Sequence, residues 1–221
     1  MRNIVISTAI VFMSIVSVSC GNDESEPIPT AFGKGTAPAM ISGVKRQVNW
    51  VQLWQNGPKF AEFNVGATAI NEYGGLYPWG GLYDQGEDYY TDCGPLPSER
   101  DVATQKWGAN WRMPTHAELT DLMNRCTSTW VTSYDGTRTP GQVFRGKGDY
   151  AENSIFLPAA GSYTTYHGFE AIGKDGCYWS SDSPEQMSEG YYQGYVLLFR
   201  TTIRIGDHLP YCCYSVRAVL K

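Results

Sequence analysis

Histidine is scarce in this chain: there are three among 221 residues, and His116, His167 and His208 sit in separate segments. A Ser–His–Asp group therefore has no local signature. The G-x-S-x-G elbow, the H-E-x-x-H zinc helix, a complete G-x-x-x-x-G-K-S/T phosphate loop and the dinucleotide fingerprint are all missing. Lys and Arg number 17 against 22 Asp and Glu. That balance lacks the basic surplus needed to displace phosphate counterions, so nucleic acid is not an expected partner. C-x-x-C is absent too, which removes the commonest start of a structural zinc site. Stretches of helical length and period are few. In their place stand 15 Tyr, 7 Trp, 24 Gly and 12 Pro. This composition suits short strands and structured loops. The length allows one domain with a real core, since a chain of ~150 residues already buries about two-thirds of its unfolded surface.

The first twenty residues, "MRNIVISTAIVFMSIVSVSC", run from one positive charge through an apolar stretch to small residues. That order is the mark of a secretory signal, and the run is short for a membrane span. Ser17-Val18-Ser19-Cys20 resembles a bacterial lipobox, which implies cleavage after residue 19 and a membrane anchor through lipid on Cys20. Each buried CH₂ of such a chain adds ~0.8 kcal/mol of hold. Residues 20–46 are rich in Gly, Pro, Ser and acidic side chains, and read as a flexible tether. The acidic cluster Asp23-Glu24-Ser25-Glu26 resembles the export signal of Bacteroides-type surface lipoproteins. It implies an outer-membrane location facing the cell exterior. Residues 47–221 form the expected globular domain.

Five further cysteines follow Cys20: Cys93, Cys126, Cys177, Cys212 and Cys213. An exported protein can hold disulfides, yet five is odd, so at least one thiol stays free or pairs between molecules. Cys212 and Cys213, being adjacent, point to opposite faces if they lie on a strand. One bridge at most, with the other thiols buried and free, is the expected arrangement.

The segment "NWRMPTHAELTDLM" crowds an indole, a guanidinium and a histidine together, but its pattern is architectural. Thr115 and Glu118 have the T-x-x-E spacing of a capping box. Leu119, Leu122, Met123 and Cys126 then make an apolar stripe at helical spacing. A helix over 115–126 follows, with Trp111 and Met113 buried ahead of it and Arg112 turned away or held by hydrogen bonds. His116 in the first turn is disfavoured as a cation by the helix dipole. "NSIFLPAAG" reads as a buried strand closed by Pro158 and Gly161. In "GYVLLFRT", Tyr195, Leu197 and Phe199 share one face while Val196, Leu198 and Arg200 share the other. "YSVRAVL" reads as a last strand with Val216, Ala218 and Leu220 alternating against Arg217 and Val219. Trp79, Trp111 and Trp179 are expected in the core.

Six blocks occur in order: "FAEFNVGAT", "EYGGLYPWGG", "ATQKWGANWRMPTHAELTDLM", "NSIFLPAAGSY", "GCYWSSD" and "YSVRAV". Together they resemble the Fibrobacter succinogenes major paralogous domain family over about Gln47 to Lys221. The resemblance implies an α+β, C-type-lectin-like domain with a twisted antiparallel sheet, one or two helices and long loops. It implies no particular activity. Sugar-binding C-type lectins hold calcium with Glu-Pro-Asn-like and Trp-Asn-Asp-like motifs, which this chain lacks. No cofactor is expected; Asp182, Glu185 and Glu189 are the loop oxygens that would serve if calcium were bound.

Tyrosine offers large contact area with a polar tip at low entropic cost, which is why recognition surfaces use it. Tyr163, Tyr166 and His167 cluster in one Gly-bounded loop, Asp182, Tyr191 and Tyr192 in another, and Arg204, His208 and Tyr211 in the last. These nine are the candidate ligand-binding residues. The expectation is a non-catalytic surface module for a glycan or a protein ligand. The alternatives are a structural or accessory subunit of a surface assembly, and less so an enzyme, either a hydrolase or an oxidase like the formylglycine-generating enzymes, with Cys177 beside Cys212 or Cys213.

Overall fold

The computed structural model describes residues 32–184, 193–200 and 202–221. The signal sequence, Cys20, Glu185, Glu189, Tyr191 and Tyr192 lie outside the described residues. A five-stranded antiparallel sheet is assembled from β1 (Lys34–Ile41), β2 (Val44–Gln52), β3 (Lys59–Ala61), β4 (Trp111–Arg112) and β13 (Val219–Leu220). Its order is β1-β2-β3-β13-β4. The Trp111 Nε1 donates to the Pro38 carbonyl at 2.9 Å, tying the two outer strands together so that the sheet curls on itself.

Two three-stranded antiparallel sheets follow, β5-β6-β7 (Thr127–Val131, Gly141–Arg145, Ser154–Pro158) and β10-β11-β12 (Gly176–Trp179, Gly194–Phe199, Ile203–His208). A small hairpin pairs β8 (Ser162–Thr164) with β9 (Gly168–Glu170). The helices are α1 (Val102–Trp107) and α2 (His116–Arg125). The coarse expectation of an antiparallel α+β domain holds.

The first hairpin corrects one expectation. Residues 34–46, read as part of a flexible tether, instead form β1 and the start of β2, with Ala37, Ala39 and Ile41 buried. The inward residues alternate with period two, but two are alanines and Pro38 lies between them, so the apolar signal is faint. Proline is tolerated there because β1 is an edge strand. Ser42 and Gly43, with φ of 51° and 79°, supply the two left-handed positions of a tight hairpin turn.

The capping box forms as the spacing predicts. The Glu118 amide donates to Thr115 Oγ1 (3.2 Å) and the Thr115 amide donates to a Glu118 oxygen (2.8 Å). Leu119, Leu122 and Cys126 are buried behind it. Arg112 is held, its two terminal nitrogens reaching the two Glu118 oxygens at 2.7 and 2.6 Å.

The core has two main clusters. Trp79, Trp111 and Trp179 fill one; Phe60, Phe144, Leu157, Tyr178, Leu197 and Phe199 belong to the other. The β10–β11 pair lies between them, so Val196 packs one way and Leu197 and Phe199 the other, as alternation requires. The chain end departs from the simple alternation. Arg217 is buried, donating to Asn64 Oδ1 and to the carbonyls of Ala61, Glu62 and Phe156 at 2.8–3.2 Å. Burial pushes its guanidinium down to about 10, opposed by Tyr178, Glu62 and Tyr134. Regular pairing at the end is confined to Val219–Leu220, with single bridges tying Tyr214 to Tyr77 and Ser215 to Tyr178.

Candidate functional site

Three loops converge on a cleft of about 440 Å³ lined by Gly86, Glu87, Tyr89, Thr165, Tyr166 and Tyr211. The loop carrying Glu87 and Tyr89 is pinned at both ends. The Gln85 amide donates to the Leu76 carbonyl (2.7 Å), the Leu76 amide donates to Asp84 Oδ1 (2.7 Å), and the Tyr90 amide donates to the Trp79 carbonyl (2.9 Å). The second wall is the β8–β9 turn, where the His167 amide donates to Thr164 Oγ1 and Gly168 takes the left-handed φ of 70° that closes the turn. The third wall bears Tyr211, and its Pro210 carbonyl accepts from the Trp79 amide (2.9 Å).

Two predicted residues, Tyr166 and Tyr211, meet here, although they are far apart in sequence. Tyr89 and Tyr211 make an edge-to-face pair with centroids 6.4 Å apart and planes at 64°. Tyr163 does not line the cleft. It exchanges backbone hydrogen bonds with Cys213 (3.1 and 2.9 Å), and its ring packs edge-on against Phe169 (5.1 Å). It thus supports the hairpin that presents Tyr166. His167 is exposed at the same turn.

Asp182 is placed elsewhere. One of its oxygens accepts from the His116 amide at 2.7 Å and the other from the Ser181 hydroxyl at 3.2 Å. Its charge therefore sits at the N-terminus of α2, where it complements the helix dipole. His116 stacks on Tyr195 at 4.0 Å. Among the described residues, no group of three or more His, Cys, Asp and Glu converges as cation ligands.

Arg204 and His208 lie on β12, outside the cleft. His208 Nδ1 faces the Tyr214 hydroxyl at 2.5 Å. Burial lowers the His208 pKa, with Arg204 adding to the effect and Asp207 opposing it. Burial likewise raises the Tyr214 phenol. A neutral imidazole accepting from an un-ionised phenol satisfies both groups. The pair is a structural clasp between β12 and the chain end.

The described cysteines are all free. Cys213 is buried with Leu76 and Ala160, whereas Cys212 packs on the tryptophan cluster, so the neighbours do face opposite ways. Burial pushes the Cys126, Cys177 and Cys213 thiols up to about 12. A thiol held un-ionised is a poor nucleophile.

A second concavity, of about 390 Å³, is walled in part by Trp50, Glu62, Ile70, Tyr134 and Phe156. Its carboxylate is already occupied, since Glu62 accepts from the Asn49 amide and side chain at 3.0 Å each. Lys34 lines the same space.

Glu87 and Tyr89 were not among the residues singled out from sequence. Their signal is "YDQGEDYY", an acidic, tyrosine-rich, glycine-containing run of the same character as the loops that were chosen. No family model matches the chain, and no curated protein or solved structure matches it significantly.

Proposed function

We propose that this protein is a lipid-anchored lipoprotein of the bacterial outer membrane, facing outward. Its globular domain, of the Fibrobacter succinogenes major paralogous domain family and C-type-lectin-like in architecture, acts as a non-catalytic binding module for a glycan or surface protein. What supports the reading is the cleft of exposed tyrosines held on three walls that are hydrogen-bonded to the core. Loops positioned by a rigid scaffold are where binding residues concentrate. Wide, half-rigid tyrosine faces suit a flat ligand such as a sugar ring. The lipobox-like Ser17–Cys20 and the acidic residues after it support the address.

The test is a glycan-array screen of the full chain in mild detergent, run in calcium and again in EDTA. Binding that survives EDTA and disappears in Tyr166→Ala and Tyr211→Ala is expected. Binding unchanged in both variants misplaces the site. Binding lost in EDTA replaces the aromatic cleft with a calcium site. Silence throughout turns the search to protein partners captured from cell surfaces. Palmitate labelling that disappears in Cys20→Ala checks the anchor.

A further inference from the structure

The chemistry of the cleft narrows its ligand beyond "glycan or protein", and this step rests on the reading of the cleft as a binding site. Its lining holds one carboxylate, Glu87, and no Lys or Arg. Among the described residues, Glu87 makes no salt bridge and no side-chain hydrogen bond. This contrasts with its neighbours: Asp88 is paired with Arg100 at 2.7 Å, and Asp84 accepts from the Leu76 amide.

The aromatic geometry points the same way. Tyr89 and Tyr211 meet at 64°, which makes a corner of π faces, and Tyr166 stands as a third ring with most of its surface open. Ring faces carry the negative lobe of the quadrupole, and cations bound among several rings gain most when desolvated. A neutral polyol needs several planar donors and acceptors for its hydroxyls. This lining offers three phenol hydroxyls, one threonine hydroxyl and main-chain groups for hydroxyls, and beside them one unpaired carboxylate that favours a positive charge. We infer that the cleft takes a sugar carrying a free ammonium group, the amine lodged between Glu87 and the Tyr89–Tyr211 corner and the ring laid on Tyr166. An anionic glycan is disfavoured by the same carboxylate.

Calorimetry on the full chain in detergent at about physiological salt tests this with four probes: the β-1,4 glucosamine tetramer, the same tetramer fully N-acetylated, tetralysine, and a sulfated tetramer. The expected result is that the glucosamine tetramer binds at least about tenfold tighter than its acetylated counterpart, a gap of ~1.4 kcal/mol. Glu87→Gln should erase most of that gap, and Tyr211→Ala should weaken both sugars. Equal binding of the free and acetylated tetramers overturns the ammonium inference while leaving the tyrosine cleft in place as a sugar site. Tetralysine binding as tightly as the glucosamine tetramer, with Glu87→Gln without effect, overturns it as general attraction to an acidic chain. No binding of any probe overturns it as well, and the array screen then decides separately whether the cleft binds anything.

Discussion

The tryptophans and the cleft tyrosines are the same broad class of side chain put to opposite uses. Trp79, Trp111 and Trp179 are fully buried, and each indole N–H has a carbonyl to donate to: Ser180, Pro38 and Tyr77 respectively, at 2.8–2.9 Å. Tyr166 is 84% exposed, and Tyr211 and Tyr89 are 39% and 38% exposed. Placement decides the difference, since Tyr178 is fully buried with its own hydroxyl donating to the Pro158 carbonyl at 2.8 Å. An indole offers one donor, which a single backbone carbonyl satisfies, and its burial is then almost wholly favourable. A tyrosine on a Gly-bounded turn keeps its hydroxyl in water and leaves its faces available. On the proposed function, stability and recognition fall to different aromatics, and each variant below should move one of them without the other.

The largest loss is expected from Trp111→Ala, which empties a core site and also cuts the bond joining β4 to β1. It should cost roughly 3–5 kcal/mol in urea unfolding. Arg217→Met comes next. It leaves buried carbonyls of Ala61 and Phe156 without their donor, so a loss on the order of 3 kcal/mol is expected, against well under 1 kcal/mol for Arg138→Met on the surface. Thr115→Ala removes one half of the capping box and should cost about 1 kcal/mol.

A pH series separates the core from the surface by another route. Burial holds the Cys126, Cys177 and Cys213 thiols up at about 12, well above an ordinary thiol. Their un-ionised state therefore contributes stability that is fully present below about pH 9 and is lost as pH rises toward 12. Unfolding midpoints should fall between pH 8.5 and roughly pH 11, and the fall should shrink in a variant carrying serine at all three positions. Alkylation in the native state should go first to the exposed Cys93. The smallest effect on stability belongs to Tyr166→Ala, within about 0.5 kcal/mol of the parent, because the ring packs against so little.

How much of this was legible in the chain depends on how far apart the cooperating residues lie. The α2 cap and its apolar stripe are local, three to seven residues long, and the spacing alone gave them. The alternation of β11 was readable for the same reason. The β1–β2 hairpin was missed because alanines make a weak periodic signal and a proline argues against a strand until one sees that the strand is an edge. Arg217 looked like an outward residue on a half-buried strand; its four acceptors come from Asn64, Ala61, Glu62 and Phe156, and no local pattern announces them. The cleft is the same problem on the surface. Tyr166 and Tyr211 were visible as candidates, but their meeting with Glu87 and Tyr89 depends on loop placement. Asp182 shows the converse: an acid beside a tryptophan looked like a loop ligand, and proves to be the anion that receives the first amide of α2.

The most direct measurement is a paired one on the Tyr89→Ala/Tyr166→Ala/Tyr211→Ala variant of the full chain. Its urea unfolding midpoint and its binding to the ligand drawn from the array would be read on the same preparation. Binding abolished with the midpoint lowered by no more than the loss of three partly exposed rings, about 1–2 kcal/mol, is the predicted result. Binding retained in a folded variant would contradict the assignment of recognition to these tyrosines.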